Sequence, residues 1–197
     1  MNKAVDGELN PGNIVAFVEE IFTSQGSNTY LGESVTISEH MLQGAALAEE
    51  AGADELTIVA TLLHDIGHLG GALGSFSVRD RQDRYHEVAG ARILDGLLPS
   101  SVVDCVRHHV AAKRYLCAVE PLYFDGLSPA SVHSLKLQGG PMARHEVEAF
   151  SRQPGLDRIV QVRRFDDVAK VPNAATRDFA HYSPLIQTLV DEHAAAD

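Results

Sequence analysis

Histidine and aspartate recur in this chain at positions where a buried metal ion would need them. The stretch LLHDIGHLGG, residues 62 to 71, places His64 and Asp65 at the end of an apolar run. An ionised carboxylate buried there costs several kcal/mol unless it is paired or coordinated. A metal cation, a buried arginine or a helix cap could each satisfy Asp65, and the dipeptide alone does not choose among them.

Three further histidines follow apolar residues at helical spacing. His40 lies one turn inside a predicted helix, and His86 begins a helix of small apolar residues, EVAGARIL. In VVDCVRHHVAAK the valines define the inward face of a helix, which favours His109 and turns His108 away by about 100°. The sequence therefore predicts that His40, His86 and His109 point toward the core.

The last candidate ligand comes from RRFDDVAK, residues 163 to 170. One of the adjacent acids Asp166 and Asp167 is expected to face inward and the other outward, although such a pair alone usually marks a solvated face. A single catalytic zinc takes three protein ligands and keeps one position open. A larger set predicts two metals that share Asp65, and imidazole with carboxylate favours Fe, Mn, Zn or Co. Counting Asp166, the candidate ligands are His40, His64, Asp65, His86, His109 and Asp166.

The sequence pattern predicts helices along the whole chain, and these helices must position the candidate ligands. Thr36 and Glu39 have the spacing of a capping box, Asp54 can cap the next helix, and no β-strand or internal repeat is evident. We predict an all-α fold with a single domain over residues 1–197, whose core covers about 14–170. The predicted helices are 14–22, 34–52, 55–67, 82–97, 101–118, 129–137, 143–152, 156–170 and a C-terminal helix at 183–194.

Composition restricts the class of ligand. A net charge of -11 and the lack of a basic stripe argue against nucleic acid, so a small molecule is expected. Cys105 and Cys117 show no CxxC spacing, which predicts neither a disulfide framework nor a thiolate zinc site. The N-terminal residues resemble no signal peptide and no apolar run could span a bilayer, so a cytoplasmic protein without membrane contact is expected. No oligomeric state is predicted.

The ordered ligand set resembles that of the HD-domain superfamily, over about residues 14 to 170. The family pattern of His, His-Asp and a distant Asp is met by His40, His64-Asp65 and Asp166, and His86 with His109 marks the two-metal branch. That branch contains phosphohydrolases, whose metals activate water. It also contains oxygenases, myo-inositol oxygenase and the phosphonate-cleaving enzymes, whose mixed-valence di-iron pair binds substrate at one iron and dioxygen at the other.

Several segments are similar to the phosphonate-cleaving oxygenases in particular. TYLGE matches a Tyr-x-x-Glu segment, which implies that Tyr30 occupies an iron position until substrate displaces it and that Glu33 helps to form the substrate pocket. HDIGH, HHVAAK, SPASVHSLKLQGG and RRFDDVAK also match. By this resemblance, the substrate contacts are His68, Lys113, Ser131, Gln138 and Arg163.

The resemblance implies an enzyme that uses two iron ions, Fe(II)/Fe(III), and O2 to cleave the C–P bond of a 1-hydroxy-2-(trimethyl)aminoethylphosphonate. The products are phosphate and either glycine or glycine betaine. A primary ammonium would be held by carboxylates such as Glu33, whereas a trimethylammonium group would prefer an aromatic cage, for which Tyr85 and Tyr123 are among the candidates. The alternatives are a metal-dependent phosphohydrolase acting on a nucleotide or other phosphomonoester, and a catalytically idle regulatory HD domain.

Overall fold

The computed structural model describes residues 8–25, 33–69 and 81–196, and in these ranges the chain is helical without a β-strand. The all-α prediction is confirmed. Two short 3-10 turns, Ile66–His68 and Phe124–Gly126, follow α3 and α5. The helices are α1 Ile14–Gln25, α2 Ile37–Glu50, α3 Glu55–Leu63, α4 His86–Leu94, α5 Ser100–Val119, α6 Pro129–Leu137, α7 Arg144–Phe150, α8 Leu156–Val168 and α9 Phe179–Ala196.

The predicted caps start the helices that carry the candidate site. Thr36 Oγ1 accepts a hydrogen bond from Glu39 N at 3.2 Å, and Glu39 Oε2 accepts one from Thr36 N at 2.7 Å. Asp54 Oδ1 accepts from Thr57 N at the start of α3. These bonds satisfy amides that have no partner inside the first helical turn, so the start of each helix is set locally.

The core surrounds α5. This helix packs against α3, α4 and α8, α2 packs against α3 and α8, and α9 lies against α1 and α3. A single cluster of buried apolar side chains takes in residues from α1 to α5, from α8 and from α9. The cluster supports the single-domain prediction, which stays a prediction. Within the described ranges, no helix has both the length and the apolar character to cross a bilayer.

Several predicted helix bounds are wrong, and three helices show the largest differences. The third predicted helix, 55–67, instead ends at Leu63 and is followed by the 3-10 turn at Ile66–His68. The fourth, 82–97, is confined to His86–Leu94, because Tyr85 adopts a left-handed conformation with φ 54° and Asp95 is extended. The C-terminal helix starts at Phe179 rather than 183, with Pro184 inside it.

Candidate metal centre

The six predicted ligands lie together in the core, where the ends of α3 and α8 meet α2, α4 and α5. Their side chains come from five segments that are far apart in sequence. Each is at most 7% exposed, and they are His40, His64, Asp65, His86, His109 and Asp166. Histidine and aspartate side chains buried this deeply require hydrogen-bond partners within the protein or bound ions.

A first cluster consists of His40, His64 and Asp166, with one oxygen of Asp65. His40 Nε2 lies 3.2 Å from Asp166 Oδ1 and 3.1 Å from His64 Nε2. His64 Nε2 lies 3.4 Å from Asp65 Oδ2. The donor atoms of the three residues lie within 4.8 Å of one another, close enough to bind one metal ion together.

A second cluster consists of His86 and His109, with the other oxygen of Asp65. Asp65 Oδ1 lies 3.2 Å from His86 Nε2 and 3.3 Å from His109 Nε2, and the two Nε2 atoms are 3.1 Å apart. His68 also reaches this cluster: its ring stacks on His86 with centroids 4.0 Å apart, and its Nε2 lies 3.6 Å from Asp65 Oδ1. Asp65 therefore presents one oxygen to each cluster.

The hydrogen bonds behind the rings show that these residues fit metal ions. Nδ1 of His40, His64 and His109 lies 2.7 to 2.8 Å from the backbone carbonyls of Ala169, Thr61 and Val106. A carbonyl only accepts, so each Nδ1 carries the proton and each Nε2 directs a lone pair into the clusters. These lone pairs face one another and the carboxylates, an arrangement that a cation would stabilise.

The carboxylates give the same indication. Asp65 Oδ2 and Asp166 Oδ1 are buried and accept no hydrogen bond within the described residues. Burial opposes ionisation of Asp65, yet the neighbouring His64 and His68 hold its pKa well below the usual range. Burial by itself would lower the pKa of His64, but the charges of Asp65 and Asp166 raise this pKa to about 9. The two carboxylates thus favour positive charge at this cluster, which a metal ion would supply.

The end of α3 explains how adjacent residues both reach the clusters. Neighbouring side chains of a regular α-helix diverge by about 100°, so His64 and Asp65 could not both face one point from a continued helix. Asp65 has φ -104° and ψ 14°, in the bridge region between helix and strand. The change from α3 to the 3-10 turn therefore brings both side chains, and then His68, to the same face.

Two of the predicted substrate contacts, Lys113 on α5 and Ser131 on α6, are joined through Ser134. Lys113 is 3% exposed and its Nζ donates to Ser134 Oγ at 2.8 Å, while Ser134 Oγ donates to the carbonyl of Ser131. Burial, with the nearby charge of Arg163, lowers the pKa of Lys113 to about 7. Gln138 follows α6, and its Oε1 is buried and accepts no hydrogen bond from the described residues.

Glu33 is tied to the start of α6. Ser128 Oγ donates to Glu33 Oε1 at 2.5 Å and also caps α6 by accepting from Ser131 N. This places Glu33 at the first turn of α6, the turn that contains Ser131. Tyr30, the other half of the Tyr-x-x-Glu segment, lies outside the described residues.

Arg163 is buried among acids. Its Nη1 lies 2.5 Å from Asp166 Oδ2, Nη2 donates to Asp167 Oδ1, and Nε donates to the Tyr123 hydroxyl at 3.2 Å. The Tyr123 hydroxyl in turn donates to Asp167 Oδ2. Asp166 thus faces the first cluster and Asp167 faces away, which resolves the pair left open by the sequence. From the sequence, Tyr123 is a candidate only for the wall of an aromatic cage.

Gln43 is a buried residue that sequence reasoning missed. Its Nε2 donates to Val171 O at 2.9 Å and its Oε1 accepts from Val171 N at 3.0 Å. One turn earlier on α2, His40 Nδ1 donates to Ala169 O. The two residues fix the chain just after α8, and so they fix the position of Asp166. The sequence itself shows only a glutamine one turn after a candidate ligand.

Residues 37–146 match the family model described as HD domain, a range that includes all the candidate ligands except Asp166. The chain belongs to the HD-domain family. It is 53% identical over the full length of both chains to a [1-hydroxy-2-(trimethylamino)ethyl]phosphonate dioxygenase (glycine-betaine-forming) of Leisingera caerulea. It is 37% identical, over 92% of its length and 90% of the relative's, to a hydroxymethylphosphonate dioxygenase of Gimesia maris. It is thus a member of the HD-domain phosphonate dioxygenases, an enzyme family of oxidoreductases.

A pair of adjacent substitutions in this HD domain tests the second cluster. His109 is 2% exposed and faces Asp65, whereas the partly exposed His108 packs its ring against Phe150, with centroids 6.1 Å apart. We expect His109→Ala to bind one metal per chain and His108→Ala to bind two, as measured by metal analysis after anaerobic loading with Fe(II) and desalting. Two metals in His109→Ala, or one in His108→Ala, would contradict the assignment.

Proposed function

We propose that the chain is a di-iron oxygenase that uses O2 to cleave the C–P bond of 1-hydroxy-2-(trimethylamino)ethylphosphonate, with glycine betaine and phosphate as products. The observation that carries the proposal is the Asp65 carboxylate, with one oxygen toward each of two histidine clusters. Full-length identity of 53% to a dioxygenase named for this substrate supports the choice of reaction and of the trimethylated amine.

The proposed ligands divide into two sets that share Asp65. His40, His64 and Asp166 would hold one iron, and His86 and His109 the other. Bound iron would supply Lewis acidity toward the phosphonate and 1-hydroxyl oxygens of the substrate, and electron exchange with O2. The overall reaction balances with one O2: C1 is oxidised to the carboxylate, and the phosphonate leaves as phosphate without net consumption of water.

The remaining polar residues would bind and orient the substrate. A phosphonate dianion is best held by cations and hydroxyls through charge-assisted hydrogen bonds, which Lys113, Arg163, His68 and Ser131 can donate. Arg163 has five N–H donors, three of which point to Asp166, Asp167 and Tyr123. The chain as a whole has a net charge of -11. The buried Lys113 and Arg163 are therefore a local concentration of positive charge, which suits an anionic ligand.

The amine end of the substrate is assigned to residues at the two ends of α6. Glu33, held by Ser128 at the start of α6, would offset its positive charge, and Gln138 at the end of the same helix would contribute a polar contact. Tyr30 would occupy an iron position until substrate displaces it. We further infer that the enzyme is a cytoplasmic protein of one domain, in keeping with two free cysteines and one apolar cluster.

The proposal is tested by anaerobic loading with iron and exposure to O2 with either the trimethylated or the primary-amine hydroxyphosphonate. We expect phosphate and glycine betaine in equal amounts from the trimethylated substrate, a slower reaction with the primary amine, and no phosphate without O2. Metal-free protein is the control. Phosphate release that proceeds equally well without O2 would instead favour a phosphohydrolase.

A further inference from the structure

Tyr123 connects the turn after α5 to the end of α8, close to the first cluster. We propose that Tyr123 is a positioning residue: with Asp167 it holds the Arg163 guanidinium against Asp166, and thereby strengthens metal binding by the first cluster. The inference rests on the proposed two-metal function and adds to it residues that touch neither metal nor substrate.

The contacts form a closed ring. Arg163 is 3% exposed, and its Nε and Nη2 donate to the Tyr123 hydroxyl and to Asp167 Oδ1. The Tyr123 hydroxyl donates its own proton to Asp167 Oδ2. Tyr123 thus accepts from the guanidinium and donates to the carboxylate that the guanidinium also contacts. The remaining Nη1 lies 2.5 Å from Asp166 Oδ2.

The two acids of α8 compete for one guanidinium. A carboxylate beside arginine favours a bidentate pair, in which two N–H groups donate to its two oxygens. Asp167 receives only one N–H from Nη2, because the Tyr123 hydroxyl already satisfies its second oxygen. Nη1 therefore remains on Asp166.

The position of Nη1 affects the metal ligand directly. Asp166 directs Oδ1 toward His40 and Lys170 Nζ, at 3.2 and 3.5 Å, and Oδ2 toward Arg163, so the guanidinium is the contact that orients Oδ2. Loss of the Tyr123 hydroxyl would leave the partly buried Asp167 Oδ2 and the buried Arg163 Nε without their partner. The guanidinium would then turn toward Asp167, and Asp166 Oδ2 would lose the contact that orients it.

The test measures metal binding, with Co(II) alone as the probe and its absorption spectrum as the readout. The His109→Ala background leaves the first cluster as the binding site, so a change there is assigned without ambiguity. Adding Tyr123→Phe to that background is expected to weaken Co(II) binding by roughly tenfold, the size typical of lost partners behind a ligand. In the otherwise unchanged chain, Tyr123→Phe should weaken one of two sites.

Glu120→Gln is the matched control. Glu120 pairs with Arg164, a link between the same two elements on the solvent side, where the two side chains are 41% and 49% exposed. Exposed pairs of this kind contribute little, so Co(II) affinity should stay within about twofold.

A second variant separates positioning from packing. Asp167→Asn removes the charge that competes for the guanidinium, so the Tyr123→Phe penalty should shrink when both substitutions are present. A purely structural hydroxyl would give the same penalty in either background. An unchanged penalty, or folded Tyr123→Phe protein with wild-type affinity at both sites, would overturn the inference alone. Wild-type protein that binds fewer than two metals would overturn the two-metal proposal as well.

Discussion

Asp65→Asn is expected to prevent metal binding in both clusters and to lower the rate of C–P cleavage by about a thousandfold or more, equal to about 4 kcal/mol in the activation barrier. Asp65 is the only described residue with one oxygen toward each histidine pair, at 3.2 to 3.4 Å from His64, His86 and His109. The amide is neutral, and one of its two polar atoms is a donor. It therefore cannot place an acceptor in both clusters or compensate the charge of two cations.

The measurement is metal content per chain together with phosphate release under O2. Asp95→Asn is a suitable control, because that carboxylate is 69% exposed and its contact with Arg107 is 3.8 Å long. It should keep two metals and full activity. Retention of two tightly bound metals by Asp65→Asn would show that the clusters do not share this residue, and would remove the main support for the two-metal centre.

The sequence predicted the helical class and the residues that cluster, for a physical reason. A buried helix face repeats at a regular spacing, so the inward orientation of His109 could be derived from its apolar neighbours. The same reasoning predicts only that one of Asp166 and Asp167 faces inward and the other faces outward. Which acid faces the clusters depends on Arg163 and Tyr123, and Tyr123 is 40 residues away from Arg163 in sequence.

Contacts between distant segments account for most of what was missed. Gln43 binds the backbone of Val171 across 128 residues, and no local pattern signals that pair. The early start of α9 has a similar origin. Proline is best tolerated in the first turn of a helix, so Pro184 disfavours a helix that begins well before it. However, Phe179 and Tyr182 bury their rings in the core, and this burial extends the helix toward the N-terminus despite the proline.

Gly67→Ala is expected to lower the melting temperature by about 6 to 12 °C and to leave one metal per chain. Gly67 lies in the 3-10 turn that carries His68, pressed against the first turn of α4. An added Cβ would lie 2.0 Å from His86 O and 2.7 Å from Gly90 N. Both are backbone atoms, so relief requires α4 to move. Overpacking of this kind costs about 3 kcal/mol, which in a chain of this size corresponds to that temperature change.

Gly67→Ala is expected to weaken metal binding because α4 contains the candidate ligand His86. His86 is the first residue of α4, so movement away from Gly67 takes its Nε2 from Asp65 Oδ1, now 3.2 Å away, while His40 and His64 keep their places. Gly126→Ala is the matched control, because nothing lies within 4 Å of its Cβ position. It should melt as wild type does and bind two metals. If Gly67→Ala also binds two metals, the position of His86 does not depend on this contact, and α4 is held in place by its packing on α5.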